Sequence, residues 1–290
     1  MRAYRLHNGS WSRIVTHRVR RPTAIVDRLS SRRRLDQPIP SDGKLVMLAC
    51  NQTYDPRTGD PVDRRELLDR IIEALSIPEV DGVIASADLL EELTLLNVLE
   101  HRLAFCAASS DQRLTPLPGG ATCQTGIGTA TILTSNFDGA LLGQQWRSGA
   151  DGHCAPPRSI AADVAELATN GVPVIVELSV VDATGQDEFD TSWVDWIGPL
   201  RATTSSIATG AGVWLTMPAI TGLAKMADAT GFPVLVRDTK LPIQPLAWQN
   251  FFETDLPLTI RGIAAGASAL FPLEGSVAEA TATIARSVRS

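Results

Sequence analysis

Gly212-Val213-Trp214-Leu215-Thr216-Met217-Pro218 is a short apolar run with a glycine in front and a proline behind. That is the pattern of a buried strand. Side chains alternate along a strand, so Trp214 and Thr216 share one face while Val213, Leu215 and Met217 share the other. Both faces carry bulky apolar groups. Such a strand has to be covered on both sides, as in a parallel sheet flanked by helices.

The same kind of run recurs on either side. Lys44–Cys50 (KLVMLAC), Asp81–Ala87, Arg102–Ala108, Gly139–Trp146, Pro173–Val180, Pro233–Val236 and Arg261–Ala267 all read as strands. Between them lie amphipathic or helix-forming segments: Asp63–Leu75, with Leu67, Leu68, Ile71, Ile72 and Leu75 on one stripe, then Leu89–Leu99, Thr129–Thr134, Pro157–Asn170, Ser192–Ser205, Thr221–Ala229, Pro245–Glu253 and Ser276–Val288. Alternating strands and helices imply a parallel sheet with helical crossovers. Eight such units in roughly 245 residues imply α/β closure into a (βα)8 TIM barrel. The alternative, an open doubly wound sheet, wants a glycine-rich turn after its first strand. Here that turn reads Cys50-Asn51-Gln52-Thr53-Tyr54, and the next glycine is Gly59. The expected organisation is a basic N-terminal extension, residues 1–43, and a barrel, residues 44–290.

Charge divides along the same line. Residues 1–40 hold ten arginines against Asp27 and Asp36, a net of +8; the whole chain carries −6, so the remainder carries −14. A basic arm can bind nucleic acid or an anionic surface. It can equally dock on the acidic body or on a neighbouring subunit. The arginines lack the regular aromatic interleaving of a single-strand binder, so docking is the preferred reading and nucleic acid is not expected as a partner. Residues 1–20 show no clear period; Pro22–Leu35 reads as a helix. No run of 18 apolar residues is present, so no membrane span is expected. The N-terminus lacks the apolar core of a secretory signal. Four cysteines without CxxC spacing suit reduced thiols of a cytoplasmic protein. His153-Cys154 has no second pair at ligand spacing, so neither a metal nor a cofactor is expected. A small-molecule substrate and a homo-oligomer are expected.

In parallel barrels the chemistry sits at the carboxyl ends of the strands. Those ends carry Asn51 and Gln52, Asp88, Gln145, Glu177, Thr216 with Trp214, Arg237 with Asp238 and Lys240, and Gly266 with Ser268. Each has a plain alternative. Glu177, late on an apolar strand, is either a proton carrier or a structural partner of a barrel arginine, because a buried carboxylate is costly unless paired. Asp88 is a substrate ligand or the N-cap of its helix, with the cap preferred. Gln145 faces a ligand if Leu141 and Gly143 point inward. Lys240 is a relocated amine or a solvated loop lysine. Cys50 and Cys106 read as core thiols.

The phrases VMLAC-Asn-Gln, VDGVIASADLLEELTLLNVL, NFDGALL, VIVEL, VWLTMP and RGIAAGASALFPLEGSVAEA resemble a branch of the class I (Schiff-base) aldolase superfamily, the (βα)8 proteins grouped with deoxyribose-phosphate and class I fructose-bisphosphate aldolases. The resemblance runs from about Lys44 to Val288 and implies the barrel. Its departures bear on chemistry. Relatives carry Asp-His where this chain has Asn51-Gln52, Gly-Gly-Lys where it has Gly139-Ala140-Leu141, and Trp-Leu-Lys where it has Trp214-Leu215-Thr216. Their seventh and eighth strands end in Gly-Gly and Gly-Arg, a phosphate cradle; here the ends read Arg237-Asp238 and Gly266-Ala267. A threonine hydroxyl cannot form an iminium, and an amide does not titrate near neutral pH.

The resulting expectation is an aldolase-fold enzyme with altered, non-Schiff-base chemistry of lyase, isomerase or cyclase type. Its substrate is a small non-phosphorylated carbonyl or polyhydroxylated compound, possible in specialised metabolism. Catalysis falls to Glu177, Thr216, Lys240 and Asn51, and binding to Gln52, Asp88, Gln145, Trp214, Arg237 and Asp238. A non-catalytic binding or scaffolding relative is the alternative, and an aldolase using Lys240 a further one.

Overall fold

The structure of the chain, a computed structural model, describes residues 6, 8–35, 40–50, 55–108, 114–116, 122–124, 129–147, 158–181, 213–218, 223–238, 244–254 and 256–290. Two helices lead, α1 (Asn8–Arg20) and α2 (Pro22–Ser31). Then follow β1 (Leu45–Cys50), α3 (Arg64–Leu75), β2 (Gly82–Ala85), α4 (Ala87–Leu95) and β3 (Leu103–Ala108). A two-stranded antiparallel ribbon, β4 (Leu114–Pro116) with β5 (Thr122–Gln124), interrupts the rhythm before α5 (Thr129–Thr134). The second half runs β6 (Gly139–Arg147), α6 (Arg158–Thr169), β7 (Val174–Val181), β8 (Val213–Pro218), α7 (Leu223–Thr230), β9 (Val234–Arg237), α8 (Pro245–Phe252), β10 (Ile260–Ala265), a short α9 (Ala267–Leu270) and α10 (Val277–Arg289).

Eight of the strands, all parallel, close into a barrel in the order β1-β10-β9-β8-β7-β6-β3-β2. Closure is the pairing of β1 with β10, in which Leu45 lies opposite Gly262 and Met47 opposite Ala264. Gly262 is obligatory there. Its φ is +154°, and a Cβ would sit 1.9 Å from the Leu45 carbonyl oxygen.

Alternation sorts every strand into two apolar clusters. Leu45, Met47, Ile84, Phe105, Leu141, Ile175, Trp214, Leu235 and Ala264 fill the lumen. Val46, Leu48, Val83, Ala104, Leu142, Val176, Leu215 and Val236 pack outward against the helices. Each fully buried aliphatic side chain contributes about 1.5–3 kcal/mol, so both faces of the sheet are held by burial. Cys50 and Cys106 belong to the outer cluster and carry free thiols. Burial pushes both thiols up, Cys106 to about 12. They lie away from the lumen.

The amino-terminal end of the barrel is closed by paired carboxylates. Asp81 accepts from Val46 N at 2.7 Å and meets Arg289 of α10 at 2.6 Å. Asp138 accepts from Ala104 N at 2.8 Å and from Leu35 N at 2.9 Å, and forms a buried ion pair with Arg32. Arg32 also donates to the carbonyls of Arg102 and Asn136, both at 2.9 Å. Leu35 packs against the lumen cluster from below.

The arginine-rich extension therefore docks on its own acidic body. Glu92, whose side chain is fully buried, is gripped by Arg18 at 2.8 Å and by Arg64 of α3 at 2.7 Å. Ile14, Ile25 and Leu29 sink into the outer cluster. Residues 8–20, which show no period in sequence, form a helix. The period is faint because Ile14 alone is buried among the described side chains of α1, so docking rather than an apolar stripe fixes the segment.

Local signals set most other boundaries. Asp63 caps α3 through bonds from Arg65 N and Glu66 N, and Ser276 with Glu279 forms a capping box on α10. One expectation is corrected: Ser86, not Asp88, is the N-cap of α4, because β2 ends at Ala85 and the helix starts at Ala87. Among the described residues, no helix is long and apolar enough to cross a membrane.

Candidate active site at the carboxyl end of the barrel

Three adjoining strands bring polar side chains to the carboxyl end of the lumen. On β7, Ile175 lies in the lumen cluster, so Glu177, two residues on, faces the same way. On β8, Trp214 faces the lumen and Thr216 follows it. On β9, Leu235 is followed by Arg237. The register sets Glu177 beside Thr216, and Arg237 beside Pro218, two residues beyond Thr216. The Arg237 side chain thus reaches over β8: its Nε lies 3.5 Å from Glu177 Oε1.

Burial is deep. Glu177 is 8 % exposed and Thr216 2 %. The Thr216 hydroxyl has no hydrogen-bond partner among the described residues, and neither has Arg237 Nε. Buried polar groups are nearly always satisfied, so such groups at a barrel mouth mark a place prepared for something else. The floor is apolar: Ile175, Trp214 and Leu235 stand directly below the three polar residues on the same strands. Chemically the set offers a carboxylate that can carry a proton, a hydroxyl that can give or accept a hydrogen bond, and a guanidinium that can hold negative charge.

Asp238 faces away from this group. It is 7 % exposed, and its carboxylate accepts from Gly266 N at 2.9 Å, from Ser268 N at 2.7 Å and from Ser268 Oγ at 2.8 Å. Ser268 Oγ in turn accepts from Trp248 Nε1 at 3.1 Å. Burial holds the Asp238 carboxyl above the usual carboxylate range, against the pull of the bonds from Ser268 and Gly266. The backbone amides that open α9 after the last barrel strand are therefore occupied by an internal carboxylate. Phosphate sites in TIM barrels commonly use the loops after the last two strands and the start of a short extra helix.

Asp88 stands exposed in the first turn of α4, paired with Arg64 at 2.8 Å. Gln145 lies on β6 opposite Ser179, two residues beyond Gly143, which pairs with Glu177. Its side chain, and all of Asn51, Gln52 and Lys240, lie outside the described residues. The two described lysines are remote from the mouth: Lys44 precedes β1 at the opposite end, and Lys225 is on the outer helix α7. Among the described residues no three of His, Cys, Asp and Glu come together as metal ligands. Sequence reasoning placed Ser268 at a strand end but missed Trp248. Only the fold shows that α8 sets this indole against Ser268.

The closed barrel with polar strand ends defines the class: a (βα)8 TIM barrel. A Schiff-base-forming fructose-1,6-bisphosphate aldolase superposes with a TM-score of 0.58 at 13% identity, covering 91% of this chain and 99% of its own. An archaeal fructose-1,6-bisphosphate aldolase, captured with its catalytic lysine bound to the carbinolamine intermediate, gives 0.59 at 12% identity, covering 92% and 100%. At these identities the likeness is one of fold. The chain belongs to the Cgl0159-like family, whose model matches residues 53–285. The structure of Cgl0159 from Corynebacterium glutamicum superposes with a TM-score of 0.81 at 23% identity, covering 99% of both chains. No curated protein matches the chain.

Proposed function

We propose that this chain is an aldolase-fold enzyme whose chemistry does not run through a Schiff base. Its substrate is a small, non-phosphorylated carbonyl or polyhydroxylated compound, and the step is of lyase, isomerase or cyclase type. The observation that carries the reading is the convergence of Glu177, Thr216 and Arg237 over an apolar floor. Glu177 carries the proton, Thr216 binds a substrate oxygen, and Arg237 holds negative charge that develops on it. Trp214 forms the floor. Asn51 and Gln52, which follow β1 in sequence, and Gln145 of β6 bind the remaining hydroxyls. Occupation of the Gly266 and Ser268 amides by Asp238 supports a substrate without phosphate.

An iminium needs an unprotonated amine at the reacting carbon. Thr216 supplies a hydroxyl at the lumen position, which favours chemistry without one. Incubating the purified chain with a panel of small aldehydes, ketones and sugars tests this, with and without borohydride and with products read by NMR. The expected result is turnover in the samples without borohydride and, in those quenched with it, no reduced adduct on the protein by mass spectrometry. An adduct on Lys240 would overturn the non-Schiff-base reading. A stoichiometric enzyme partner, with no turnover by the isolated chain, would make this a non-catalytic relative.

A further inference from the structure

We infer that the ligand of this mouth carries a carboxylate next to an oxygen-bearing carbon: it is a small 2-oxo or 2-hydroxy acid. The inference rests on the reading of the mouth as a substrate site and names the substrate class. It starts from hydrogen-bonding capacity left open. A guanidinium presents five donors in a fixed fork. In Arg237 the Nε–H is buried without an acceptor among the described residues, and Nη1 reaches the Asp238 carbonyl only at 3.5 Å. The Glu177 carboxylate stands at 3.5 Å from Nε, well beyond the roughly 2.7–2.9 Å of a charge-assisted bond. One strand over, the Thr216 hydroxyl is 2 % exposed and likewise without a partner among the described residues.

A ligand that satisfies both groups offers a planar oxyanion to the fork and a separate oxygen to the hydroxyl. A 2-oxo or 2-hydroxy acid has these on adjacent carbons. Carboxylate fits better than phosphate. A phosphate would need further donors, and the backbone amides that open α9, those of Gly266 and Ser268, are already committed to Asp238. The ligand is also short. Ile175, Trp214 and Leu235 lie two residues below on the same strands, roughly 7 Å of strand rise.

Calorimetric titration of the full chain with pyruvate, lactate, dihydroxyacetone and inorganic phosphate tests the inference, alongside Arg237→Gln, Arg237→Lys and Thr216→Val, each checked for folding by its melting curve. Pyruvate or lactate should bind in preference to dihydroxyacetone and phosphate. Arg237→Gln should weaken that binding about 10- to 100-fold, the usual range for a hydrogen bond to a charged group. Arg237→Lys should fall between, because it keeps charge without the fork, and Thr216→Val should weaken it several-fold. Pyruvate and lactate binding that ignores Arg237→Gln overturns the inference, as does phosphate binding as tightly. Thr216-dependent binding of dihydroxyacetone without binding of either acid overturns the acid while leaving the site standing. No binding that responds to either position overturns both.

Discussion

Replacing Asp238 with alanine should cost stability in an amount the structure allows to be worked out. The carboxylate receives three donors, Gly266 N–H, Ser268 N–H and the Ser268 hydroxyl. Trp248 Nε1 donates to Ser268 Oγ, and an indole N–H offers the hydroxyl proton no acceptor in return. Each buried donor left unmade costs about 1–3 kcal/mol. Two effects pull the total toward the lower end. The space vacated by the carboxylate admits water, and the penalty of burying a charge, seen as the raised Asp238 carboxyl, disappears with it. The expected loss is about 3–5 kcal/mol out of a typical total of about 5–15 kcal/mol. In thermal terms this is a fall of roughly 6–15 °C. Asp238→Asn keeps one accepting oxygen but turns an NH2 toward donors, so it should lose about 1–3 kcal/mol. Guanidinium unfolding followed by tryptophan fluorescence, with Trp248 at the network, reads both variants. An alanine variant within about 1 kcal/mol of the parent, or an asparagine variant as stable as the parent, would refute the assignment of Asp238 as an internal clasp.

Three further outcomes are expected. Thr216→Lys should place an amine in the lumen beside Arg237, where burial and the neighbouring cation depress its pKa; borohydride with a small aldehyde should then give a reduced adduct at residue 216, and a folded variant without one would mean that position 216 does not reach the mouth. Arg32→Ala should leave Asp138 buried and half unpaired, costing about 3–5 kcal/mol, and should expose the stretch between α2 and β1 to limited proteolysis; unchanged cleavage would sink this account of docking. Cys106, with its thiol pushed up to about 12, should be thiolate in only about one molecule in ten thousand at pH 8. Iodoacetamide should therefore spare Cys50 and Cys106 in the native protein and label both in guanidinium, as peptide mass spectrometry can show. The same shift should erode stability as pH rises above the ordinary thiol value, because the unfolded chain ionises there and the folded one does not.

The barrel was legible because its strands are buried on both faces. Lys44–Cys50 reads as a continuous apolar run for that reason, and eight strand-length segments at crossover spacing leave little choice of topology. Alternation put Thr216 on the face of Trp214, and the barrel makes that face the lumen. What escaped was everything that depends on partners distant in sequence. Asp88 looks like a cap because it follows a strand, yet the strand stops three residues earlier and Ser86 takes the role. α1 has no stripe to read, since Arg18 and Ile14 find Glu92 and the outer core only after the barrel exists. The Asp238–Ser268–Trp248 chain joins residues 30 and 20 positions apart, and nothing local announces it. At the site, the sequence named Glu177, Thr216 and Arg237 separately; only the register of β7, β8 and β9 shows that the arginine crosses the threonine to reach the glutamate.

The seam between β1 and β10 has a consequence for synthesis on the ribosome. β1 is made well before its second neighbour, which lies more than two hundred residues downstream, and Arg289, which pins the bottom of the seam, follows later still. Until β10 has been made, the Leu45–Cys50 edge lacks its second partner and is an adhesive apolar ribbon, the kind of surface that recruits other nascent chains. By then Leu6 can already hold α3, and α1 and α2 can hold α4, keeping the early half together while the late half is still being made.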